Sequence, residues 1–187
     1  MALSICAFNS IELNDQELME DGLNLFVDWD LSDFFSDLLI SRDLAMNNED
    51  GEFDQIASIL KVDIEPLYKM SNYWDKVEEE KHLSGLNNEA DRQKQLQIIQ
   101  ENNASLYGNI DKVYETILSL EAGILREDDL KYQLIKHNPG FYNDYKYFSK
   151  VIKPYDRNLQ LDLVRIKECI EFVKPLDADT VYFKFKT

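Results

Sequence analysis

Apolar and polar positions alternate most clearly near the two ends of the chain. In residues 180–186, Val181 and Phe183 fall on one side of an extended segment, and lysines fall on the other. Residues 2–8 and 23–29 show the same two-residue period, so all three segments are predicted as strands. Three strands are enough for a minimal sheet if the two ends of the chain meet.

Between the predicted strands, apolar residues recur at helical spacing. Residues 31–46 carry the i, i+3, i+4, i+7 stripe of a half-buried helix, with Asp30 or Ser32 as its N-cap. Further helices are predicted at about 15–21, 52–60, 64–82, 88–102, 109–122, 127–137, 141–153 and 158–173.

These elements define an α+β fold. We expect it to be mainly helical, with a small sheet formed by the N-terminal and C-terminal strands and helices packed on one face of that sheet. A chain of 187 residues fits one domain, 1–187, with a weak internal boundary near 84–88.

Negative charge is concentrated at the start of the chain. Residues 1–60 contain fourteen acids and one base, Arg42, which gives a net charge of -13. Residues 61–187 contain twenty-two acids and nineteen bases, a net of -3, and the two parts sum to the formal charge of -16. An asymmetry of this size indicates a surface that favours basic partners.

The acids that we predict to contact a partner lie between Asp28 and Asp54. On one helix, Asp30, Asp33 and Asp37 have the spacing of a shared face. Clustered carboxylates repel one another, and a fold tolerates them when the face is solvated or when a cation or a basic partner neutralises it. The predicted partner-binding residues are Asp28, Asp30, Asp33, Asp37, Glu49, Asp50, Glu52 and Asp54.

A second segment has the opposite charge. Residues 131–157 contain six bases and two acids, interleaved with seven aromatic residues. Bases mixed with aromatics are typical of surfaces that bind anions by charge and stacking. The same pattern also arises when the aromatics belong to the core and the lysines are solvated. This segment is therefore the alternative contact surface.

No motif for catalysis, metal binding or nucleotide binding is present in the sequence. The two histidines have no ligand-spaced neighbours, and the six glycines are scattered singly. A calcium loop centred on Gly51 fails because Met46 and Ala57 occupy its two terminal ligand positions. We expect no metal site, no cofactor and no enzymatic activity, and we expect Cys6 and Cys169 to be buried free thiols.

Charge and hydropathy also bear on location. No apolar run reaches the roughly 18 residues that a membrane span needs, and the first residues lack a basic leader region. We therefore expect a cytoplasmic protein. Its strong negative charge opposes direct binding to nucleic acid or to an anionic membrane.

Two hypotheses about function follow. The first is an acidic inhibitor that neutralises a basic protein, as an immunity protein for a bacterial toxin or a phage-encoded inhibitor would. Its target would be a toxin, a nuclease or another enzyme with a positive cleft. The alternative is a non-catalytic accessory or scaffold domain that uses segment 131–157.

Overall fold

The structure is a computed structural model that describes residues 2–10, 30–44, 50–127, 130–134, 147–148 and 158–186. Its strands are β1 (Ala2–Phe8), β2 (Asp30–Leu31) and β3 (Thr180–Lys186). Its helices are α1 (Asp33–Leu44), α2 (Glu52–Leu60), α3 (Glu65–Met70), α4 (Lys76–Ser84), α5 (Glu89–Ala104), α6 (Ile110–Arg126), α7 (Leu130–Gln133) and α8 (Leu159–Val173), which a 3₁₀ turn follows at Lys174–Leu176.

The sheet joins the two ends of the chain. Its strand order is β2-β1-β3, and β1 pairs antiparallel with both neighbours. Leu3 lies opposite Phe185 and Ala7 lies opposite Val181 along the β1–β3 pair. The predicted α+β class, mainly helical with a small sheet from the N-terminal and C-terminal strands, is confirmed.

One face of the sheet forms the main core. Leu3 and Ile5 of β1 and Val181 of β3 are fully buried there, against apolar residues of α1, α2, α3, α6 and α8. This is the face predicted from the two-residue alternation, because successive strand residues point to opposite sides of a sheet. The expectation that helices pack on one face is confirmed.

The opposite face carries a smaller aromatic cluster. Cys6, Phe8 and Tyr182 are buried there, and the ring of Tyr73 covers them. The ring centroids of Tyr73 and Tyr182 lie 4.2 Å apart, and those of Tyr73 and Phe8 lie 5.3 Å apart. The α3–α4 connection therefore covers the face of the sheet that the helices of the main core leave open.

That connection corrects the predicted helix 64–82, which is two helices in the structure. The N-cap of α4 is Asp75, whose carboxylate accepts a hydrogen bond from the Glu78 amide at 2.8 Å, while the Glu78 carboxylate accepts one from the Asp75 amide at 3.2 Å. This reciprocal capping box starts a new helix. The Asn103 side chain also binds both the amide and the carbonyl of Trp74, which fixes the turn before α4.

The predicted helix 31–46 begins later than expected. Asp30 lies in β2 and pairs with Ser4 of β1, and α1 starts after Ser32. The Ser32 hydroxyl accepts a hydrogen bond from the Phe35 amide at 3.2 Å, so Ser32 is the N-cap. Asp30 therefore does not share a helical face with Asp33, and this part of the prediction is wrong.

Among the described residues of the predicted helix 127–137, only Leu130–Gln133 are helical, so that prediction was too long. The other predicted elements divide into two groups. α2 and β3 have the predicted bounds, and α5, α6 and α8 lie within a few residues of theirs. The predicted helix 15–21 and strand 23–29 lie outside the described residues, as does most of helix 141–153, of which Tyr147 and Phe148 are in a turn. The boundary predicted near 84–88 falls in the turn between α4 and α5.

Candidate functional site

The start of α1 is held in place by a buried carboxylate of α8. Asp162 is 1% exposed, and it accepts hydrogen bonds from the amide of Ser32 at 3.0 Å, from the Ser32 hydroxyl, and from the Tyr147 hydroxyl at 2.9 Å. Burial raises the pKa of Asp162, although these donors oppose the rise. Three donors on one buried carboxylate give the β2–α1 junction a fixed position.

Asp30 is attached to the same junction. Its carboxylate accepts a hydrogen bond from the Ser4 hydroxyl at 3.0 Å, and its carbonyl accepts one from the Arg165 guanidinium at 3.1 Å. The residue is nevertheless exposed. Asp30 thus presents negative charge from a backbone that β1 and α8 both hold.

The next two acids lie on the first two turns of α1. Asp33 is exposed and Asp37, four residues later, is half-buried, so the two carboxylates neighbour each other on the helix surface. Partial burial is the main cause that raises the pKa of Asp37, and the charge of Asp33 contributes a smaller rise. The ionised form of Asp37 is therefore disfavoured mainly because its side chain is partly withdrawn from water.

The single base of residues 1–60 is engaged at the other end of α1. The Arg42 guanidinium donates to both carboxylate oxygens of Asp54, with a shortest distance of 2.7 Å, and lies 2.6 Å from the Glu65 carboxylate. It also lies 3.6 Å from the centroid of the Tyr68 ring. The hydrogen bond with Asp54 and the contact with Glu65 raise the pKa of Arg42. Arg42 therefore neutralises Asp54 rather than Asp33 and Asp37.

The eight predicted binding residues consequently do not form one uniform patch. Asp50 is exposed, Glu52 is only 7% exposed, and Asp28 and Glu49 lie outside the described residues. Arg42 is nine residues beyond Asp33 on α1, a rise of about 13 Å at about 1.5 Å per residue. The described acids thus form one group at the start of α1 and another beside the start of α2.

Close backbone packing holds the second group. A Cβ atom at Gly51 would lie 2.6 Å from the Arg42 amide nitrogen and 2.7 Å from the Ser41 carbonyl carbon. The Ser41 hydroxyl accepts a hydrogen bond from the Phe53 amide at 3.3 Å. The end of α1 and the start of α2 therefore meet at a distance that only glycine permits.

Two cysteines and His82 are among the other reactive side chains that the structure describes. Cys6 and Cys169 are buried free thiols, as predicted, and burial raises the pKa of Cys169 to about 12. His82 packs on the Trp74 ring at 4.9 Å. Within the described ranges, no group of three or more His, Cys, Asp or Glu residues is placed to hold a metal ion.

Among the helices of the described segments, none has the length and apolar character that a membrane span requires.

Segment 131–157, the alternative contact surface, is described in part. Tyr147 is 1% exposed, stacks on the ring of Phe34 at 5.3 Å, and donates to Asp162. This aromatic residue therefore belongs to the core. The side chain of Tyr132, in α7, is 70% exposed.

Sequence reasoning missed the roles of Asp162 and Arg42. Tyr147 is one of the aromatics of segment 131–157 for which a core position was one of the two interpretations. Asp162 and Ser32 are 130 positions apart, and no local pattern marks either as a partner of the other. Asp162 does lie at a buried position of α8, and a carboxylate among the apolar residues of a helical stripe is the sequence signal of a buried, hydrogen-bonded group.

No family model, no curated protein and no solved structure matches this chain.

Proposed function

We propose that this protein is an acidic binding protein that neutralises a basic protein partner, with the start of α1 as the contact surface. The observation that supports this most strongly is that Asp33 and Asp37 lie one turn apart on α1 while Arg42, the one base of residues 1–60, is engaged elsewhere. A lysine or arginine of a partner would stabilise the ionised form of Asp37, whose pKa is raised mainly by burial and less by the charge of Asp33.

The rigidity of the surface supports the same proposal. Asp162 fixes Ser32, and Arg165 and Ser4 fix Asp30, so the acids are presented on a backbone anchored to both the sheet and α8. A preorganised surface loses little conformational freedom on binding. Asp30, Asp33 and Asp37 are accordingly the central contacts, while Asp50 and Asp54 form a secondary acidic group.

The proposed class is an immunity protein for a bacterial toxin, or a phage-encoded inhibitor, acting in the cytoplasm without catalysis. Nucleases and similar enzymes have positive clefts, and an acidic surface steers association with such a cleft and competes for it. The net charge of -16, with -13 of it in residues 1–60, matches this role.

The test is affinity capture with the tagged full chain from lysate of its source, washed at rising salt. The wild type is compared with the double variant Asp33→Asn/Asp37→Asn and with a charge-matched control, Asp91→Asn/Glu115→Gln, whose residues are exposed on α5 and α6. We expect a basic protein that the wild type and the control retain and the Asp33/Asp37 variant loses at lower salt.

Capture of a partner that is indifferent to salt and to both double variants would contradict the proposal. That result would favour the accessory or scaffold hypothesis, with segment 131–157 as the contact surface.

A further inference from the structure

A pocket of about 200 Å³ lies between α3 and the connection from α5 to α6. Pockets for drug-sized ligands measure about 300–1,000 Å³, so this one suits a more compact molecule. Its lining includes the apolar or aromatic residues Pro66, Leu106 and Tyr107 and the two lysines Lys69 and Lys112.

The apolar part of the lining differs in exposure from residue to residue. Leu106 is 1% exposed and Pro66 is buried, so both belong to the body of the protein. Tyr107 is 46% exposed, and the Phe8 ring packs on it edge to face at 6.1 Å. A ligand with a small apolar body would therefore meet the exposed part of the Tyr107 ring, which packs on Phe8.

The charge of the lining is unusual for so acidic a protein. Lys167, Lys174 and Lys184 bind Glu121, Asp111 and Asp75, respectively. Neither lysine of the pocket has an acidic partner within the part of the chain that the structure describes. The same holds for Lys81 and Lys94, so what distinguishes Lys69 and Lys112 is that they line one pocket.

The acid of the lining offsets at most one of these lysines. Glu65 lines the pocket, and its carboxylate lies 2.6 Å from the Arg42 guanidinium, which also binds Asp54. The pocket therefore combines two ammonium groups and apolar walls within a protein whose formal charge is -16. An anionic group is the natural counterpart of that combination, because a charged acceptor forms the stronger class of hydrogen bond with ammonium donors.

We propose that this pocket binds a small organic anion, whose phosphate or carboxylate group binds Lys69 and Lys112 and whose apolar body contacts Tyr107. The ligand is compact, about the size of a substituted single ring. The site is separate from the acids of α1, so it does not depend on the proposed inhibitor function.

Calorimetric titration of the purified full chain tests this directly, with phenyl phosphate, benzoate and inorganic phosphate as probes. The variant Lys69→Gln/Lys112→Gln removes both ammonium groups. The control Lys81→Gln/Lys94→Gln removes two exposed lysines from α4 and α5 and has the same net charge. We expect saturable binding to the wild type and the control, and binding at least about tenfold weaker to the Lys69/Lys112 variant.

The probes also identify the chemistry of the ligand. Tighter binding of phenyl phosphate than of benzoate assigns a phosphate ligand, the reverse order assigns a carboxylate, and weaker binding of inorganic phosphate than of phenyl phosphate shows that the apolar body contributes. Absence of saturable binding by all three probes, or an equal loss in both double variants, would overturn the proposal. Retention of the basic partner by the Lys69/Lys112 variant would show that the two proposals stand separately.

Discussion

Asp162 accepts hydrogen bonds from both the amide and the hydroxyl of Ser32, which lies 130 positions earlier in the chain. Substituting Asp162→Ala would leave these two donors and the Tyr147 hydroxyl without their acceptor in a buried site. Each unsatisfied buried donor costs about 1–3 kcal/mol, so for three donors we expect a loss of at least about 3 kcal/mol in the free energy of unfolding.

Urea unfolding followed by circular dichroism measures this loss as a lower midpoint with an unchanged slope. The matched control is Glu115→Ala, at an exposed position of α6, where the change should stay within about 0.5 kcal/mol. Similar midpoints for the two variants would show that the hydrogen bonds accepted by Asp162 do not stabilise the fold.

The sequence predicts those parts of the fold whose determinants are local. β1, β3 and α2 have the predicted bounds, because alternation or a helical stripe over seven to nine residues places each one against the core. The break between α3 and α4 was missed, although Asp75 and Glu78 have capping-box spacing. Apolar residues such as Tyr73 sustain a helical pattern across the break, and the structure uses Tyr73 to cover the sheet instead.

The candidate site is less predictable, because its properties depend on residues far apart in sequence. Charge counting located the acidic region, and Asp33 and Asp37 are exposed enough to act in it. Counting does not reveal that Arg42 is engaged by Asp54 and Glu65, nor that Asp30 belongs to a strand. Those facts depend on how α1, α2 and β1 pack.

The ion pair between Asp75 and Lys184 joins the start of α4 to β3 and makes stability depend on pH. Burial alone would raise the pKa of Asp75, but Lys184 and the Glu78 amide hold it below its ordinary value. A depressed carboxylate pKa stabilises the fold above the unfolded pKa of about 3.9, and this contribution is lost as pH falls through the folded value.

We therefore expect Asp75→Asn to lower the free energy of unfolding by about 1 kcal/mol at neutral pH and by less at about pH 3. Asparagine is also a good N-cap, so the substitution removes the charge and preserves most of the cap. Thermal unfolding across this pH range checks the prediction. A difference in stability between the wild type and the variant that stays the same at every pH would contradict it.

Gly51 and Gly85 offer a matched pair of alanine substitutions with opposite expected signs. At Gly51 the new Cβ would lie 2.6 Å from a backbone atom of Arg42, so we expect a loss of about 1–3 kcal/mol. At Gly85 the nearest atom is 3.4 Å away and the backbone is right-handed helical, so alanine should stabilise by about 0.4–1 kcal/mol. Chemical denaturation of both variants measures the two changes in the free energy of unfolding. An equal change at the two sites would refute the prediction.

The raised pKa of Asp37 predicts how partner binding responds to acid. Protonation removes the charge that a basic partner would contact, so affinity should fall as pH drops through a pKa above the ordinary aspartate value of 3.8. The Asp37→Asn variant should bind more weakly at neutral pH and lose this part of the pH dependence. Titration calorimetry with the captured partner measures both, and an unaltered pH profile in the variant would exclude Asp37 from the contact.

The most direct measurement of the central claim is the association rate of the captured partner at low and high salt. It compares the wild type, Asp33→Asn/Asp37→Asn and the charge-matched control Asp91→Asn/Glu115→Gln. Steering by the α1 acids predicts that the Asp33/Asp37 variant associates about tenfold more slowly at low salt, with little difference at high salt and little change in the control. Equal slowing in both double variants would mean that net charge alone drives association, and it would contradict a binding surface at the start of α1.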